Sequence, residues 1–172
     1  MGNRLLRFAG HSQKKLKTVA FYNRKVVTTL QTSDKTTITV ETVVQAPVEK
    51  VWRYWTEPHH ITQWSFASDD WHAPHAENDL KTGGRFLTRM EAKDGSFGFD
   101  MTGAYDEVRK NEYIAYTIDD GRKVTIHFIS QGNETKVVEE FEAEGTNSIE
   151  QQREGWQAFL NNFKKYSESR NG

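Results

Sequence analysis

The chain has 172 residues with 23 Lys+Arg, 24 Asp+Glu, no Cys and 3 Pro, a length that favours one folded domain with a sizeable core. Without cysteine there are no disulfides, thiolate metal sites or cysteine nucleophiles, which fits a reducing cytoplasm, the expected location. A formal net charge of −1 argues against general nucleic-acid binding, and no apolar run reaches the length of a membrane span or secretory signal.

Charge is unevenly spread. Residues 1–35 hold Arg4, Arg7, Lys14, Lys15, Lys17, Arg24, Lys25 and Lys35 against Asp34 alone, so this segment carries +7 and the remaining 137 residues −8. Its apolar residues keep neither a helical period nor a strand alternation for long. It reads as a basic arm, poorly ordered or loosely attached, ahead of a domain over 36–172. Such arms include targeting segments, membrane-surface helices, nucleic-acid tails and sequence upstream of the true start. Lipidation is not expected, because Leu6 stands where a myristoylation motif wants Ser or Thr.

From Thr36 the pattern sharpens. Ile38, Val40, Thr42 and Val44 alternate with Thr39, Glu41, Val43 and Gln45 as a half-buried strand ended by Pro47. Proline is tolerated in a first helical turn and Glu49 complements the helix dipole, so Pro47 to about Trp55 is a short helix with Val48, Val51, Trp52 and Trp55 on one face. Pro58 breaks it, and a second helical turn follows around His59–Trp64. Extended segments then run over Trp71–Asn78, Gly84–Glu91, Phe97–Glu107, Glu112–Ile118, Lys123–Ser130 and Glu134–Glu144, separated by turn signals such as Gly83-Gly84, Asp94-Gly95, Asp120-Gly121 and Gly132-Asn133. This describes an antiparallel meander. In the last 25 residues Ile149, Gln152, Trp156, Phe159, Leu160, Phe163 and Tyr166 recur at spacings of three and four, one face of a helix that Ser148 and Gln151 open as a capping box. The fold class is therefore α+β, a helix-grip fold. A strongly curved antiparallel sheet of six to seven strands wraps a long C-terminal helix, with two short helices after the first strand.

The strings ITVETVVQAPVEKVWRYWTEPHHITQW at 38–64, NDLKTGGRF at 78–86, DGSFGFDMTGAYDEV at 94–108 and REGWQAFLNNF at 153–163 together resemble the activator of heat shock protein 90 ATPase homologue family. That family belongs to the START-like, birch-pollen-allergen-like superfamily (SRPBCC), which also contains polyketide cyclases. The resemblance covers about residues 36–168. It implies a helix-grip cavity of the kind in which this superfamily commonly binds apolar or aromatic small molecules. The eukaryotic co-chaperone that names the family carries a further large domain that contacts the chaperone, and residues 1–35 are too short to be that domain.

Candidate ligand-contacting residues follow from an assumed strand register and from the helix face. Phe97, Phe99, Met101 and Tyr105 share one parity, opposed by Tyr116, Phe128, Trp156, Phe159 and Phe163. The expected ligand-binding set is Trp52, Phe86, Phe99, Met101, Tyr116, His127, Phe128, Glu139, Trp156, Phe159, Leu160 and Phe163. Any single one is equally readable as plain core. His127, Asp100 and Glu139 are strand polar residues that fix a ligand's orientation if their parity faces inward.

The sequence contains no Gly-x-Ser-x-Gly elbow, P-loop, dinucleotide fingerprint or His-Glu-x-x-His, and no catalytic residue is assigned. An acid–base role for Glu139 or His127 rests only on their strand positions. His72, His75, Glu77 and Asp79 evoke a metal site beside His59-His60. Pro74, however, prevents helical presentation, and a spacing of three on a strand sends the two His to opposite faces, so neither metal nor cofactor is expected. The first functional expectation is a binding protein for a hydrophobic, ring-containing small molecule of lipid, polyketide or flavonoid type. The alternatives are a chaperone-interaction module that stimulates a heat shock protein 90-type ATPase in a stress response, and, last, a cyclase- or hydrolase-like enzyme. Gln157, Asn161, Asn162 and Glu168 give the C-terminal helix a polar outer face, and a monomer is expected.

Overall fold

In the computed structural model, residues 17–22, 25–30 and 35–170 are described. They fall into two compact units divided after Lys35. Within the first, β1 (Lys17–Tyr22) and β2 (Lys25–Leu30) pair antiparallel, with Lys17 opposite Leu30 and Tyr22 opposite Lys25. The apolar pattern predicts no element here. The β-branched content of the two segments, with Val19, Val26, Val27, Thr28 and Thr29, favours extended backbone all the same. The rest of the expected basic arm lies outside the described residues.

The second unit runs β3 (Thr37–Val44), α1 (Val48–Thr56), α2 (Pro58–Ile61), β4 (Trp71–Asn78), β5 (Arg85–Ala92), β6 (Gly98–Arg109), β7 (Tyr113–Ile118), β8 (Lys123–Gln131), β9 (Glu134–Glu142) and α3 (Ile149–Ser169). Its seven strands form one antiparallel sheet in the order β3-β9-β8-β7-β6-β5-β4. Alternation selects the core face. Ile38, Val40 and Val44 of β3, Val124, Ile126 and Phe128 of β8, and Thr135, Val137 and Phe141 of β9 are all buried. Together with two interruptions of register, after His72 in β4 and after Tyr105 in β6, this curves the sheet around α3. Among the described residues no helix is long and apolar enough to cross a membrane.

The bulge in β4 corrects the reading of the two histidines. One extra residue between His72 and His75 leaves Ala73 and Ala76 buried, so strict alternation fails. His72, part-exposed, pairs with Glu91 at 3.5 Å and His75, exposed, with Glu77 at 2.8 Å.

Helix α3 begins in a capping box. The Gln151 N–H donates to Ser148 Oγ and the Ser148 N–H donates to Gln151 Oε1, both at 3.1 Å; such a cap contributes about 1 kcal/mol. Gln152, buried, donates from Nε2 to the Glu144 and Asn147 carbonyls and accepts the Glu144 N–H, tying the first turn to the end of β9. Leu160 and Phe163 are fully buried along the stripe, whereas Ile149 is part-exposed at the helix start. Of the polar residues expected to be solvated, Asn161 is exposed, whereas the other three join α3 to its neighbours. Gln157 Nε2 donates to the Glu41 carbonyl, Asn162 Nδ2 to the Trp64 carbonyl, and Glu168 Oε1 accepts the Gln45 N–H and a bond from Lys164.

Candidate ligand-binding pocket

A pocket of about 130 Å³ lies between the sheet and α3, with further walls from α1 and α2. Five sheet strands line it: Phe86, Thr88 and Met90 of β5, Met101 and Tyr105 of β6, Ile114 and Tyr116 of β7 and Glu139 of β9 by alternation, and Glu77 and Asn78 at the end of β4. Trp55, Ile61 and Trp64 enter from the helical side, and Trp156 and Phe159 from α3.

Local backbone chemistry sets these positions. The Gly83 N–H donates to the Tyr105 carbonyl and the Tyr105 N–H to the Gly84 carbonyl, which anchors β6 against the turn before β5. Gly83 has a φ of +81°, and a Cβ on Gly84 would meet the Asp79 carbonyl oxygen at 1.9 Å, so the pair suits glycine alone. Gly103 lets the Phe86 ring lie on the β6 backbone, since a Cβ there would stand 2.7 Å from that ring and 2.6 Å from the Thr117 oxygen. Phe86 then contacts Tyr116 edge-on, with centroids 4.9 Å apart. Trp156 is fixed by stacking on Phe141 at 4.0 Å and 10°. Trp55 and Trp64 lie 4.9 Å apart and both pack on Phe163. The Tyr105 hydroxyl donates to Asn78 Oδ1 at 2.6 Å while Asn78 Nδ2 donates to the Thr56 carbonyl at 2.6 Å, joining β6, β4 and α1.

Electrostatically the pocket holds one unusual group. Glu139 is 5% exposed, and no hydrogen bond or ion pair reaches it from the described residues. Burial raises its carboxyl to about 8. The Tyr116 hydroxyl, also without a hydrogen-bond partner, is pushed well above the usual phenol range by burial and then by the Glu139 charge. A second titratable group lies outside the pocket, where Glu57, His59 and His60 bring ligand-type atoms within 4.8 Å of one another. Arg53 Nε already donates to Glu57 at 3.2 Å, and His60 Nδ1 lies 2.6 Å from the Tyr166 hydroxyl. This arrangement braces α2 against α3.

The sequence pattern that defines the "Activator of Hsp90 ATPase homolog 1-like protein" family matches residues 45–168. The chain belongs to that family. Among solved structures, an AHSA1-like protein from Aeromonas hydrophila is 42% identical and superposes with a TM-score of 0.74 over 78% of this chain and 93% of its own. A protein from Cytophaga hutchinsonii is 57% identical, with a TM-score of 0.68 over 77% and 92%. A Nitrosomonas europaea protein, 19% identical with a TM-score of 0.66 over 80% and 97%, shares the fold. No curated protein matches the chain.

On this activator-homologue fold the expected ligand-contacting residues divide. Phe86, Met101, Tyr116, Glu139, Trp156 and Phe159 line the pocket. Trp52, Phe128, Leu160 and Phe163 lie in the core instead, with Trp52 edge-on to Phe128 at 5.2 Å. His127 is displaced by parity. Ile126 and Phe128 point inward, so its ring turns out onto Tyr113, 4.8 Å away. Asp100 likewise lies outside and pairs with Arg89 at 3.3 Å. Phe99 has the inward parity of Met101 but sits near the strand's open end, 42% exposed beside Phe97 and Trp71. Thr88 and Met90 are pocket residues that the alternation from Phe86 signals. Trp55, Ile61 and Trp64 depend on how α1 and α2 fold back, which no local pattern reports.

Proposed function

We propose that this protein binds a hydrophobic, ring-containing small molecule in the pocket between sheet and α3. The observation that carries the reading is the wall itself: aromatic and aliphatic side chains from six elements, interrupted by few polar groups, one of which is a carboxyl with no partner among the described residues. Membership of a family with a ligand-binding fold supports it. The test is an amide-shift NMR screen against lipids, flavonoids and smaller aromatic compounds. Perturbations should cluster at Tyr116, Trp156 and Phe159, and Met101→Trp, which fills the pocket, should abolish them while the folded spectrum persists. Shifts that survive Met101→Trp, or no shifts with any compound, exclude the reading.

A chaperone-interaction module is the second reading, favoured by one observation. Phe97 is 62% and Phe99 42% exposed, and with Trp71 they form an aromatic group of centroids about 6 Å apart at one end of the sheet. Stimulation of a heat shock protein 90-type ATPase, lost in Phe97→Ser, is the outcome that selects this reading.

A further inference from the structure

We infer that the pocket's ligand is a neutral ring compound bearing a carbonyl oxygen, which accepts a hydrogen bond from the Glu139 carboxylic acid. This rests on the pocket being a ligand site and specifies what enters it.

Glu139 is the only buried acidic residue among those described. It occupies an inward position of β9 whose neighbours two residues away are Val137 and Phe141, both buried. The fold asks for an apolar side chain there. A buried polar group without a partner weakens the fold, and the nearby Tyr105 and Asn78 show how this chain satisfies such groups where no ligand is involved. Glu139 instead lines the pocket, where it meets no cation among the described residues.

Its surroundings decide its protonation. The other titratable groups on the wall are Tyr116 from β7, Tyr105 from β6 and Glu77 from β4, none of them positive; α3 contributes the rings of Trp156 and Phe159. Arg122, just before β8, acts electrostatically on Tyr116 but is paired with Asp120 at 2.8 Å. With burial unopposed, the carboxyl is raised to about 8 and is an acid at neutral pH. An acid of this kind donates a hydrogen bond, and the unpartnered Tyr116 hydroxyl on the same wall is a second donor. A carbonyl oxygen, with two lone pairs and no proton of its own, is the acceptor that two donors fit. A site built from buried donors discriminates strongly against an analogue lacking the acceptor. The volume, about 130 Å³, suits a single ring, since an apolar cavity of ~150 Å³ holds benzene.

The test measures binding of acetophenone, ethylbenzene and 1-phenylethylamine to the full chain by calorimetry at pH 6.5, in the wild type, Glu139→Gln and Glu139→Leu. Acetophenone should bind the wild type roughly five- to tenfold more tightly than its hydrocarbon isostere. The preference should persist in Glu139→Gln, which keeps a donor, and fall at least threefold in Glu139→Leu, where only the Tyr116 hydroxyl remains. Raising the pH to 9.5 should weaken acetophenone binding to the wild type and leave Glu139→Gln unchanged, which decides the matter even if Glu139→Leu does not fold. Equal affinity for ketone and hydrocarbon, or a preference undiminished in Glu139→Leu, overturns the carbonyl anchor and leaves the pocket reading standing. Tightest binding of the amine overturns it in favour of a carboxylate that pairs a cation. Failure of all three probes overturns the single-ring carbonyl ligand, and the pocket reading falls with it only where the wider NMR screen is also silent.

Discussion

Glu139 faces Ile126 across the β8–β9 ladder and titrates near 8 rather than at its ordinary 4.5. The folded state therefore holds a proton that the unfolded chain has released, and stability falls as pH rises through this window before levelling off above it. Chemical denaturation should show the wild type losing about 2 kcal/mol between pH 6.5 and 8.5, with Glu139→Gln showing no such loss. An equal slope in both proteins excludes Glu139 as its source. His60 acts with the opposite sign. Burial, then His59, lower its pKa against the pull of Glu57, so the folded state resists protonation and stability falls on acidification below about 6.5. At this scale the sequence is legible by parity, which places Phe86, Met101 and Tyr116 on the pocket wall. It misleads for His127, whose face depends on which of two alternating sets meets α3. It also misleads for Phe99, because alternation says nothing about where along a strand the covering elements stop.

Helix α3 and strand β6 show what elements add. Gln152 makes three hydrogen bonds from a buried position. Gln152→Ala should cost about 2–3 kcal/mol in urea denaturation, by removing these bonds and leaving backbone groups unmatched. Ser167, on the same helix, is fully buried with an Oγ that has no hydrogen-bond partner. Ser167→Ala should therefore be neutral or stabilise by up to about 1 kcal/mol, and a clear destabilisation in the same assay counts against the assignment. In β6, Gly103→Ala should destabilise by about 1–3 kcal/mol through overpacking, and its NMR shifts should spread to Phe86 and Tyr116. The strands themselves are legible, because β-branched alternation ends at Gly-containing turns. The bulges in β4 and β6 are not, since a bulge is a difference in count between two paired strands and a single segment carries no trace of it.

Across the whole molecule, the helix-grip architecture is readable from the order of elements, and the pocket's volume is not, because it depends on side-chain rotamers and on the angle of α3. What no single segment announces is that β3 joins the sheet beside β9. Thr37 pairs with Glu142 and Val44 with Thr135, across nearly the whole domain. Closing so long a loop is entropically costly, and a topology of such distant pairings folds slowly. During synthesis, β3 emerges first among the sheet strands yet has no partner until β9 has been made. Its alternating Ile38, Val40 and Val44 then remain uncovered for the time needed to translate almost a hundred further codons. The domain is thus obliged to fold at the end of its own synthesis, and a nascent chain arrested before β9 should remain open to protease at β3 until the last strand is supplied.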